Sequence, residues 1–197
     1  MNTITKLGTL ITALIMLAGS AHAGVILQDT DNGANQIEAF SPMGQSFTAE
    51  DPFVSFAFYY DTFNPQHSND PLEMRLFAGT TAVGVPLLSV PFAIPDPGQN
   101  FEDYFDVDLS AIALTIGNVY TASVFAPNPY WGAAIQRGGN PYPGGVAIVS
   151  GAVDADSDWR FRVTPLAVPE PGTLTLLGLM LAGIGLSSRR RVAALRA

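Results

Sequence analysis

Trp159-Arg160-Phe161-Arg162-Val163 (WRFRV) alternates apolar and charged side chains without a break. In an extended chain successive side chains point to opposite faces. Trp159, Phe161 and Val163 therefore share one side, and Arg160 and Arg162 the other. That is the signature of a strand with one face in a core and one in water. Upstream, Phe53–Tyr60 (FVSFAFYY) is apolar on both faces, as in a strand covered on both sides.

Working outward, the same kind of segment recurs between clusters of Gly, Pro, Asn and Asp. Gln45–Ala49, Leu72–Ala78, Val85–Ile94, Tyr104–Leu109, Val119–Ala126, Trp131–Gln136 and Val146–Val149 all read as strands. Asn64–Pro71, Pro95–Asn100 and Gly138–Gly145 read as loops. No long helical period lies between Gly24 and Ala167, and no internal repeat. The pattern predicts an all-β body at 24–167, an antiparallel β-sandwich or jelly roll.

The charge of that body is lopsided. It holds sixteen of the chain's 17 carboxylates and only Arg75, Arg137, Arg160 and Arg162, a formal charge of −12, where the whole chain carries −8. Such a surface repels nucleic acid, so no nucleic-acid partner is expected. It attracts Ca²⁺ and cationic surfaces, although a solvated acidic coat that keeps the protein soluble explains the same charge. The chain has no cysteine, which excludes thiol catalysis and thiolate metal sites.

Catalytic signatures are sparse, and no enzyme is expected. His67 is the body's only histidine, it sits in a Pro/Asn-rich stretch, and there is no G-x-S-x-G. Glu102, Asp103, Asp106 and Asp108 surround one strand, with Asp106 and Asp108 on the same face. Two of them could form a glycosidase pair, but acidic residues on a solvent-facing strand explain the pattern as well. Asp154, Asp156 and Asp158 form a D-x-D-x-D run that can gather on Ca²⁺ where the backbone curls. It departs from the EF-hand loop, with Trp159 at the glycine position and Pro165 at the bidentate-glutamate position. A turn leading into the Trp159 strand is the other reading. Tyr130, Trp131 and Tyr142 flank a Gly/Pro-rich stretch and are candidates to stack on sugar rings. Asn128, Gln136, Arg137 and Asn140 would then supply polar contacts. Trp131 and Tyr142 as core residues, with the glycines serving turns, are the alternative.

The two ends differ from the body. Residues 1–23 carry one lysine, Lys6, an apolar run from Leu7 to Ala18, and Ala21-His22-Ala23 before Gly24. This predicts a secretory signal cut by signal peptidase between Ala23 and Gly24. At the other end, 172–188 is uncharged and rich in leucine, followed by Arg189, Arg190 and Arg191. The run predicts a short transmembrane helix, at the lower end of the ~17–25 residues a span uses. The arginines of the 189–197 tail hold that side in the cytoplasm and place the body outside. Pro169-Glu170-Pro171 precedes the helix, and its prolines favour an extended backbone that a protease can grip.

Val168-Pro169-Glu170-Pro171, Thr173, the Leu/Gly-rich helix and the terminal arginines, in that order over 168–197, resemble the PEP-CTERM sorting signal, a motif also labelled "ice-binding protein C-terminal". The label does not imply ice binding, and the body lacks a regular Thr-x-Thr array. The resemblance implies that an exosortase is the processing partner. The inner membrane would hold the chain transiently, and cutting near Pro169-Glu170-Pro171 would send the body to the cell surface or the extracellular matrix. The body also looks like the jelly-roll domains that such proteins often carry. The matching pieces are Gln45–Ala49, Leu114–Tyr120, Trp131, Tyr142–Gly145 and Asp158–Phe161. That likeness implies a fold similar to carbohydrate-binding modules. The expected function is therefore a non-enzymatic surface or matrix component, with extracellular polysaccharide as candidate partner and Ca²⁺ as candidate cofactor. A glycoside hydrolase and a ligand-free coat protein are the alternatives.

Overall fold

The computed structural model describes residues 24–63, 71–94 and 101–166. All fall in the first of the two units into which the chain divides, Met1–Leu166. These residues form thirteen strands and no helix. In chain order they are β1 (Ile26–Gln28), β2 (Gly33–Gln36), β3 (Met43–Thr48), β4 (Val54–Thr62), β5 (Leu72–Ala78), β6 (Leu88–Phe92), β7 (Glu102–Asp108), β8 (Val119–Phe125), β9 (Trp131–Arg137), β10 (Ala147–Val149), β11 (Ala152–Asp154), β12 (Ser157–Trp159) and β13 (Phe161–Pro165). They make two antiparallel sheets. One runs β1-β13-β4-β9-β12, with β2 also on β9 and β7 also on β4; the other runs β11-β10-β3-β8-β5-β6. The predicted all-β body is what the chain adopts.

The alternation in WRFRV is realised as read. Trp159 and Phe161 are fully buried and Val163 nearly so. Phe161 stacks on Phe56 of β4 at 5.5 Å, and Trp159 stands edge-on to Phe58 at 6.5 Å. Phe56 lies 5.6 Å from Phe47 of β3, and Tyr60 of β4 lies 6.0 Å from Phe92 of β6. Aromatic rings from both sheets thus meet in one apolar cluster. Each such pair adds about 0.5–1.5 kcal/mol beyond the area it buries.

The predicted strand at Trp159–Val163 is divided at Arg160. Up to Trp159 the chain pairs with β9 (Trp159↔Ile135), and from Phe161 it pairs with β4 (Phe161↔Phe58). The Arg160 N–H bonds the Ala134 carbonyl at 2.9 Å across the change of partner. The second face of FVSFAFYY is covered by neighbouring side chains. Arg160 lies 3.9 Å over the Tyr59 ring, and Tyr104 of β7 meets Tyr59 edge-on at 5.3 Å.

The first and last strands are partners, with Ile26 opposite Val163 and Gln28 opposite Phe161. Both ends of the body therefore leave from one place. The β10–β11 hairpin turns on Ser150 and Gly151, both with positive φ (51° and 77°), the primed two-residue turn that matches strand twist.

Candidate functional site

Trp131 opens β9 and is 0 % exposed. Its ring meets Tyr60 at 6.2 Å and Phe101 at 6.0 Å, both edge-on. No sugar ring can reach it, which corrects the expectation of a stacking role. Its inward phase follows from pairing opposite Thr62 of β4. Tyr142 is half-buried, edge-on to Phe161 at 5.1 Å, and its hydroxyl accepts the Thr48 N–H at 3.4 Å. Tyr130 is half-buried beside Trp131. The three do not make an exposed aromatic face.

The D-x-D-x-D run is a turn leading into β12. Asp154 Oδ1 accepts the Asp156 N–H at 3.2 Å, while Asp156 faces solvent. Asp158 turns inward and is fully buried. Its Oδ1 accepts from Gln45 Nε2 of β3 at 2.8 Å, and its Oδ2 accepts the Tyr142 N–H at 2.9 Å. Gln45 Oε1 in return accepts the Trp159 N–H at 2.9 Å. Among the described residues no group of three or more His, Cys, Asp or Glu is placed to hold a metal ion. The expected Ca²⁺ set is therefore not assembled, because its third carboxylate joins the two sheets instead. Burial pushes the Asp158 carboxyl above its ordinary value. The Tyr142 N–H and the Gln45 amide pull it back, and the Asp154 charge adds to the rise.

Charged chemistry collects instead on the outer face of β1, β13, β4 and β7. Arg160 pairs with Asp29, and its Nη1 donates to Asp31 Oδ2 at 3.0 Å. The Tyr104 hydroxyl donates to Asp29 Oδ1 at 2.9 Å. That hydrogen bond, with the Arg160 guanidinium, holds the Asp29 carboxyl below its ordinary value. Burial, with the bond to Asp29, pushes the Tyr104 phenol up to about 12, against the pull of Arg160. Arg162 pairs with Asp106 and lies 4.9 Å over the Tyr104 ring. Ser55 Oγ donates to Asp106 Oδ1 at 3.3 Å. Ser110, through its side chain and its N–H, holds Asp108 below the ordinary carboxylate value.

Of the four carboxylates predicted around one strand, Asp106 and Asp108 share an outward face beside Arg162. Glu102 and Asp103 are exposed at the strand's other end. Glu102 stands directly opposite Asp61 of β4. Burial and the Glu102 charge raise the Asp61 carboxyl. Sequence alone does not reveal that like-charged pair, because it depends on the β4–β7 register. Ser55, Asp106, Asp108, Arg162 and Thr164, walled by Val25 and Leu166, line an open trough of about 520 Å³.

His67, Ala23 with the rest of residues 1–23, Pro169, Glu170, Pro171, the predicted span 172–188 and Arg189, Arg190 and Arg191 lie outside the described residues. Among those described, no helix is long and apolar enough to cross a membrane. Gly24, the predicted first residue after signal cleavage, is exposed two residues before β1. No curated protein and no solved structure matches the chain. Residues 167–191, directly after the β-body, match the PEP-CTERM protein-sorting motif, which supports an exported protein that an exosortase processes after transient anchoring at the membrane.

Proposed function

We propose that this chain is an exported, non-enzymatic surface or matrix protein. Its β-sandwich body is delivered by the C-terminal sorting segment and holds extracellular polysaccharide. The sorting motif at 167–191 is the observation that carries the reading. The signal-like residues 1–23 and the arginines after 188 agree with it, since they put the body outside the cytoplasm. Within the trough, the state of the carboxylates favours a binding role over hydrolysis. A glycosidase needs a protonated acid beside an ionised partner. In the trough, Asp108 is held below its ordinary value and Asp106 is committed to Arg162 and Ser55.

Replacing Pro169, Glu170 and Pro171 together with alanine tests the sorting step in the native host. The expected result is an unprocessed chain in the membrane fraction and little protein in the medium. Normal release of a shortened chain would overturn the reading.

A further inference from the structure

We propose that the trough on the outer face of β13, β4 and β7 is a binding site for a neutral saccharide chain. The inference rests on the polysaccharide-binding reading above and assigns it a place.

The register builds the trough from two successive cross-strand rows. In one, Thr164, Ser55 and Asp108 stand side by side; in the next, Arg162, Ala57 and Asp106 do. Residues two apart on a strand face the same way, so both rows open outward. Ala57 has only a methyl group and is fully buried, so no side chain rises between Arg162 and Asp106 in that row. Val25 of the chain entering β1 and Leu166 of the chain leaving β13 wall the trough, giving about 520 Å³ of open space. That falls within the roughly 300–1,000 Å³ of small-molecule sites.

The lining chemistry selects the ligand class. A sugar hydroxyl both donates and accepts, so it needs carboxylate or hydroxyl acceptors beside N–H or O–H donors. Here Asp108 supplies carboxylate oxygen, Thr164 and Ser55 supply hydroxyls, and Arg162 supplies N–H groups. An anionic polymer would meet two carboxylates and one guanidinium that is already paired with Asp106. A bare cation would meet that guanidinium, and no third carboxylate is placed to help hold it. A neutral polyhydroxylated chain faces neither penalty. The next row, Arg160, Tyr59 and Tyr104, continues along the same face with half-buried rings, so a chain can run beyond the trough.

The test is affinity electrophoresis of the processed protein recovered from the medium. Gels would contain dextran as a neutral glucan or alginate as a polyanion. Dextran should retard the protein and alginate should not. Asp108→Asn combined with Thr164→Ala should weaken the apparent dextran affinity about tenfold. The thermal unfolding midpoint of the variant should fall only slightly, since both side chains sit on the outer face and an asparagine amide oxygen can still accept the Ser110 N–H. Thr164→Ala alone serves as a second variant if the double one misfolds, with a smaller loss in the same direction. Unchanged retardation of the variants would overturn the trough as the site while leaving polysaccharide binding intact. Retardation by alginate alone would overturn the neutral class. No retardation in either gel would overturn both the site and the polysaccharide-binding reading.

Discussion

Gln45→Leu removes the polar link between the two sheets while keeping a side chain of similar bulk. In the native protein the Gln45 amide donates to Asp158 Oδ1 and accepts the Trp159 N–H, and both residues are fully buried. Leucine leaves the Trp159 N–H without an acceptor, at about 1–3 kcal/mol. It also removes one of the donors that solvate a buried carboxylate, which brings the loss at pH 7 to about 3–5 kcal/mol. A domain of this size has roughly 5–15 kcal/mol in total, so the midpoint temperature should fall by about 10 °C. The pH dependence separates the two parts. Asp158 has a raised carboxyl in the folded state, so its favourable contribution is present below the unfolded value of 3.8 and is lost as pH rises through the folded value. Removing the Gln45 donor raises that folded value further. The deficit of the variant should therefore be largest at pH 7 and shrink toward pH 4, where only the orphaned Trp159 N–H remains. Urea unfolding of both proteins at pH 7, 5.5 and 4, followed by tryptophan fluorescence, measures this. A deficit below about 1 kcal/mol, or one that grows toward acid pH, would refute the reasoning.

Two further substitutions probe the body. Trp131→Ala should cost about 3–5 kcal/mol by chemical denaturation, as expected for an emptied core site. Trp131→Phe should cost under about 1.5 kcal/mol, because the indole N–H finds no acceptor and mainly ring area is lost. Neither substitution should change dextran retardation of the folded protein. Asp61→Asn should stabilise the protein at pH 7 by a few tenths to about 1 kcal/mol, by removing a like charge directly opposite Glu102. Because the Asp61 carboxyl is raised, that gain should fade as pH drops toward 4.

The strands that bury alternating aromatics were legible in the sequence, because period-two patterning reports directly on a two-sided sheet. FVSFAFYY and LEMRLFA are found where their patterns put them, and WRFRV keeps its alternation of faces although its strand is divided at Arg160. β2, the stretch Gly-Ala-Asn-Gln, was not legible. Its residues favour turns, and it is a strand only because β9 offers it an edge. Trp131–Gln136 reads as a strand, but the sequence leaves open whether Trp131 belongs to the core or to a stacking face, because its inward orientation is set by strand pairing 69 positions from its Thr62 partner. Asp158 shows the limit of motif spacing. Alternate carboxylates converge on a cation only where the backbone curls around it, and here Asp158 is carried into β12 with its side chain buried. The outer-face site joins Asp29 to Arg160, 131 positions apart, and Asp106 to Arg162, 56 apart. Only the register brings such pairs together.

Intact mass spectrometry of the protein from the medium and from the membranes of its native host tests the central claim most directly. A chain beginning at Gly24 and ending near Glu170, recovered outside the cell, is the expected result. A chain that keeps the tail through Ala197 and remains in the membrane fraction would contradict it.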